Sequence, residues 1–208
     1  MPATLAALTN ADLALIVLPV TVALLLVIAL AGLYNGLAVA RVRMRNALSQ
    51  IDVQLRRRHD LVPNLVETVR GYMEHERATL QAVVQARAAA VQASEGLREG
   101  GGGAVRALAA ATASLDGALH ALLARVEAYP ELKANAVMHN LQEELVTTEN
   151  RVAFARQAFN DAVMRLNERV ATFPGNLVAS LFGFEAAEPW RTEEPTRAVP
   201  AVRVGQTP

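Results

Sequence analysis

The sequence predicts an all-α protein, with a single N-terminal transmembrane helix followed by an elongated antiparallel four-helix bundle. Three observations predict it. Residues 13–33 form a run of 21 residues without one charge, enough at about 1.5 Å each to cover a hydrocarbon core of about 30 Å. Downstream, apolar residues recur in steps of three and four, the spacing of one helix face. Aromatics make up only 4% of a chain that is 52% hydrophobic, and an alanine-rich, aromatic-poor composition favours helices over strands.

The apolar run reads best as an anchor. A secretory signal peptide carries a basic start and an apolar stretch of about 7–15 residues. Here the first 33 residues hold no Lys or Arg, although Ala29-Leu30-Ala31 has the form of a cleavage site. A buried core helix is usually shorter, and Pro19 is better tolerated inside a bilayer helix. Orientation follows from the flanks. Asp12 is the only charge before the run, and Arg41, Arg43 and Arg45 follow it closely. The positive-inside rule then places the N-terminus outside and the bulk of the chain in the cytoplasm. These three arginines read as a solvated flank, each adding about 1 kcal/mol of attraction to an anionic leaflet.

The whole chain has 20 basic and 20 acidic side chains, with Lys133 the only lysine. That balance excludes an overall electrostatic grip on nucleic acid, which needs a basic stripe. The absence of cysteine excludes disulfides, thiolate metal sites and a lipid-modified N-terminal cysteine.

Four helical stretches are expected after the anchor. The first runs from about Tyr34 to Asp60 with Leu37, Met44, Leu48, Ile51 and Leu55 inward, and nothing prevents its continuing from the span. The second begins near Pro63, a good first-turn residue, and ends near Ser94, with Leu65, Val69, Tyr72, Leu80 and Val83 toward the core. Residues 95–103 contain four consecutive glycines and form a turn. The third carries Val105, Leu108, Thr112, Leu115, Leu119, Leu122, Val126 and Tyr129 and stops at Tyr129-Pro130. The fourth runs from Val137 to Phe173 and closes at Phe173-Pro174-Gly175. Val178 to Phe184 is a short apolar segment that either docks on the bundle or touches the membrane. The expected divisions are therefore a short segment at 1–12, the span at 13–33, the bundle at 34–184 and a disordered, proline-bearing tail at 185–208.

No catalytic constellation stands out. His75-Glu76 opens a zinc-protease pattern, but Thr79 occupies the second histidine position. Arg56, Tyr72, Gly117 and Ala136 precede His59, His75, His120 and His139 by three, so the di-iron Glu-x-x-His motif is missing. No catalytic, cofactor-binding or metal-ligating residue is assigned, and no cofactor is expected. What remains is a set of polar residues along the helices: Asp52, Asn64, Glu67 and Glu76, then Glu149, Asn150, Arg151, Arg156, Asn160 and Asn167. Such residues fix register between helices through buried hydrogen bonds; lining a ligand cleft is the alternative.

Several stretches carry a resemblance. The run from Arg45-Asn46 through Asp60-Leu61-Val62-Pro63-Asn64 to Thr68-Val69 resembles the LemA family. So do Glu127-Ala128-Tyr129-Pro130-Glu131-Leu132-Lys133-Ala134-Asn135, Glu149-Asn150-Arg151, Phe159-Asn160, Phe173-Pro174-Gly175-Asn176-Leu177 and Leu181-Phe182-Gly183-Phe184. Leu48 stands where the family usually has Trp, and Phe159 where it usually has Tyr. The resemblance implies an anchored helical bundle in the bacterial inner membrane, without an established enzymatic activity. A magnetosome-formation protein of magnetic bacteria is similar to the family, which implies membrane-associated scaffolding. The expected function is thus a non-enzymatic scaffold or adaptor acting through protein contacts or self-association, including coiled-coil pairing between chains. Its expected partners are the lipid bilayer and other proteins, with no nucleic acid. A membrane-shaping protein and a small-ligand or ion sensor are the alternatives.

Overall fold

The structure, a computed structural model, describes residues 10–99 and 103–191. Among the described residues six helices occur in order: α1 (Asn10–Arg70), α2 (Arg77–Glu99), α3 (Ala104–Val126), α4 (Pro130–Lys133), α5 (Ala136–Ala171) and α6 (Gly175–Phe182). No strand occurs among the described residues. The chain divides into two compact units, one of Met1–Ile51 with Ala153–Pro189, the other of Asp52–Val152 with Trp190–Pro208. Helices α1 and α5 are each continuous across the division.

The break expected between Asp60 and Pro63 does not exist. Span, first soluble helix and the start of the expected second are one helix, α1, and the turn falls at Gly71–Glu76 instead. A proline inside a helix removes the bond from its own nitrogen to the carbonyl four residues earlier, which here belongs to His59. That carbonyl accepts from Arg87 Nε at 2.7 Å. A side chain of α2 thus supplies the missing donor, and the helix continues through Pro63.

In the second unit, four helical segments share one core. It includes Val62, Leu65, Val69 and Met73 from α1 and its end, Leu80, Val83 and Ala90 from α2, Leu115, Leu119, Leu122 and Val126 from α3, and Met138, Leu141 and Leu145 from α5, together with Leu132. The stripes read from the sequence mostly match. Tyr72 is exposed and Met73 buried in its place, because α1 ends at Arg70 and the helical phase is lost there. Val137 is likewise exposed while Met138 is buried. Asn135 caps α5: its Oδ1 accepts from the backbone N–H of Val137 at 2.8 Å and of Met138 at 3.3 Å, which sets the phase one residue later.

In the first unit, the apolar side chains of α1 from Val17 to Leu30 are exposed. Among the described residues only the end of α6 reaches this stretch, at Val27 and Leu30, as suits a lipid-facing helix. Beyond them, Leu37 is buried with Val178 and Ala179 of α6 and with Phe184. Helix α6 ends on Gly183, whose φ of 66° is left-handed and costs glycine little; Phe184 N–H then bonds back to Ala179 O at 2.9 Å, closing a Schellman turn. Phe173, expected on the inward stripe, is exposed, because α5 ends at Ala171. Of the tail expected to be disordered, residues 185–191 are described. Ala187 exchanges two hydrogen bonds with Asn167 and Trp190 is buried, so this stretch is pinned despite its composition. Residues 192–208 lie outside the described residues.

Candidate functional site

The second unit gathers its charges in seams between helices. Asp52, 8% exposed, pairs with Arg56 one turn on and with Arg98 of α2 at 3.2 Å. Arg58 lies with only 3% of its side chain exposed and pairs with Asp116 of α3. Glu149 of α5 stands 4.0 Å from the same guanidinium and 3.8 Å from His120 Nε2. These contacts tie α1 to α2, α3 and α5. A buried guanidinium is tolerated only when paired and hydrogen-bonded, so this seam fixes which faces of the four segments meet.

His59, 3% exposed, lies one position along. Burial pushes its pKa below the ordinary histidine value, and the nearby Arg87 and Arg58 charges add to this against Asp60 and Asp52. The imidazole is therefore held neutral, and its Nε2 has no hydrogen-bond partner among the described residues, nor does the buried Ser94 Oγ. Arg56, Arg87, Arg98, Asp60 and Glu95 surround these two residues in a cleft of about 230 Å³. Acidic and basic groups are interleaved there, and the guanidiniums of Arg56 and Arg98 already share Asp52.

The other residues singled out in the sequence are dispersed. Asn64 is exposed, and its carbonyl accepts from Thr68 Oγ1. Glu67 pairs with Arg70 at 3.3 Å on the surface. Glu76, in the turn after α1, receives a bond from Thr79 and stands 3.6 Å from Arg125 of α3. Asn150 and Arg151 are exposed, and Arg156 and Asn160 are half-buried. Asn167 clamps the backbone at Ala187: its Nδ2 donates to the carbonyl at 2.9 Å and its Oδ1 accepts from the N–H at 2.8 Å. No group of three or more His, Asp or Glu is placed to share a metal ion among the described residues.

The three membrane-proximal arginines also separate. Arg43 and Arg45 are exposed. Arg41 turns back onto the α6 end, with its guanidinium 4.1 Å from the Phe184 ring centre and Nη2 donating to Gly183 O at 3.1 Å. Tyr34 meets Phe182 and Phe184 edge-on at 5.0 and 5.6 Å. Arg169 of α5 donates to Gly36 O at 2.6 Å.

Arg58, His59, Arg87 and Asp116 were not among the sequence candidates. A signal for Arg58 exists: it continues the stripe Ile51, Leu55, (58), Val62, Leu65, so helical spacing places it inward. Arg87 carries no such signal, since its role depends on a proline in another helix.

An exposed apolar helix long enough to cross a membrane, followed among the described residues by helices alone, is the build of a membrane-associated helical protein. The comparisons with known proteins narrow this. The profile of the LemA family matches residues 47–204, and the chain belongs to that family. It is 27% identical over 171 residues to the magnetosome protein MamQ of Magnetospirillum gryphiswaldense, covering 74% of this chain and 62% of that protein. The same figures hold for MamQ 1 and MamQ 2 of Paramagnetospirillum magneticum. The chain thus spans about three fifths of the length of these relatives.

Proposed function

We propose that the protein is a non-enzymatic helical scaffold at the bacterial cytoplasmic membrane, acting through contacts with other proteins or with its own copies. In this reading residues 13–33 cross the bilayer with the N-terminus outside, and residues 34–184 form the cytoplasmic helical body. One observation carries the reading. The buried charged residues of the second unit pair across helices, as Arg58 does with Asp116 and Asp52 with Arg98, and are thereby used in fixing the arrangement of helices. Val53, Val84 and Val146 are exposed on the helix surfaces and give positions from which such contacts can be captured. The arginines after the span support the orientation, and the relatives named magnetosome proteins support a role at a membrane.

In-cell photocrosslinking tests this. A photoreactive residue is placed in turn at Val53, Val84 and Val146 of the full-length chain. Discrete adducts, either to a second copy or to a reproducible protein, are expected from at least one position. Uncrosslinked monomer from every position contradicts the reading.

A further inference from the structure

Between Val170 and Phe184 the chain carries no charge, and Arg169 and Glu185 bracket the stretch. Within it α6 buries Val178 and Ala179 against Leu37, yet its other side is also apolar. Leu177 and Leu181 stand four residues apart on α6, hence on one face, and are 62% and 74% exposed; Phe182 beside them is 52% exposed, and Phe173, in the turn just before α6, is 79% exposed. Four large apolar side chains exposed on so short a segment, uncovered among the described residues, mark a contact surface for an apolar partner.

Their position says what does. The end of α6 lies against the last turns of the apolar run. Val27, Leu30, Ala31 and Tyr34 of α1 and Leu181 and Phe182 of α6 line one groove of about 350 Å³. Val27 to Ala31 belong to the stretch that faces lipid. Side chains packed laterally on that stretch share its depth, because membrane depth is a property of position along the span. The uncharged run of α1 in fact continues to Ala40, and the first basic residue after it, Arg41, meets Phe184 and Gly183. An arginine there lies at headgroup level, with the aromatic pair Tyr34 and Phe182 just inside it.

We propose that α6 is a second membrane element, lying in the leaflet beside the C-terminal end of the span, with Phe173, Leu177 and Leu181 among the acyl chains. The groove between α6 and α1 accommodates one lipid acyl chain. This inference rests on residues 13–33 crossing the bilayer. The protein then holds the membrane at two places in its sequence separated by some 140 residues, so the end of α5 is fixed at the membrane along with α1.

The chain contains no cysteine, so single cysteines label cleanly. Full-length Leu25→Cys, Leu181→Cys and Phe154→Cys variants carry an environment-sensitive fluorophore in phosphatidylcholine–phosphatidylglycerol vesicles. Phe154 is an equally exposed apolar residue, roughly 22 Å along α5 from Arg169. The expected result is loss of fluorescence at positions 25 and 181 with acyl-brominated lipid, and at 154 only with aqueous iodide. Quenching at 25 with an iodide-only response at 181 overturns the role of α6 and leaves the anchor intact. An iodide-only response at both overturns the anchor, and the inference with it.

Discussion

Pro63 lies inside α1 and offers no N–H to the carbonyl of His59, a residue that is 3% exposed. Arg87 Nε occupies that carbonyl at 2.7 Å. Replacing Arg87 with Met keeps much of the apolar stem and deletes the donor. A hydrogen bond from a charged donor contributes about 1.5–3 kcal/mol, and a buried acceptor left unmade costs about 1–3 kcal/mol. Arg87→Met is therefore expected to destabilise by about 2 kcal/mol. Pro63→Ala restores the N–H at position 63, which in a helix points to the carbonyl of residue 59. In that background the loss of Arg87 should cost well under about 1 kcal/mol, giving a coupling energy of about 1–2 kcal/mol between residues on different helices. Urea unfolding of the wild type, both single variants and the double variant in nanodiscs, followed by far-UV circular dichroism, completes the cycle. Equal costs of Arg87→Met in both backgrounds would refute the reasoning, and would mean that Arg87 acts through its charge or its stem.

Three further outcomes are expected. Asp116→Ala strands the Arg58 guanidinium, which is almost fully buried; a loss of about 3–5 kcal/mol is expected, largely recovered by adding Arg58→Met, and a loss below about 1 kcal/mol would show that Glu149 suffices. His59 is held neutral by burial and by Arg87 and Arg58, whereas the unfolded chain takes up a proton near pH 6.5. The unfolded state then binds more protons than the folded one as pH falls from about 7, so stability declines on acidification; thermal melts from pH 7.5 to 5 should show a shallower decline for His59→Gln. A methyl group at Gly175 meets the backbone carbonyl of Arg169, while one at Gly36 meets only the far end of the Arg169 side chain, which can shift at the cost of its bond to Gly36 O. Gly175→Ala should therefore lower the melting temperature more than Gly36→Ala, and the reverse order would contradict the packing at the start of α6.

Much of the architecture was legible where periodicity is local. The expected fourth helix, Val137 to Phe173, lies within two residues of α5 at either end, and the stop at Tyr129-Pro130 is where α3 has ended. What could not be read depended on distant partners. Pro63 reads as a helix start because the sequence does not show that Arg87, 24 residues later, supplies the missing donor. Asn167 reads as a residue between helices, whereas its amide recognises the backbone at Ala187, a stretch whose composition suggests disorder. Arg58 was hidden by its setting in an Arg-Arg-Arg run. A run of charges reads as solvated, although only Arg56 and Arg57 are exposed and the third member points inward.

The central claim, a membrane-held scaffold acting through protein contacts, is tested most directly by extraction of the full-length protein from native membranes into polymer-bounded discs without detergent. Native mass measurement of the extracted particles follows. The account predicts a reproducible species containing more than one polypeptide, either several copies of the 22.3 kDa chain or one copy with a constant companion. A protein recovered solely as a single chain, at its native abundance, would contradict it.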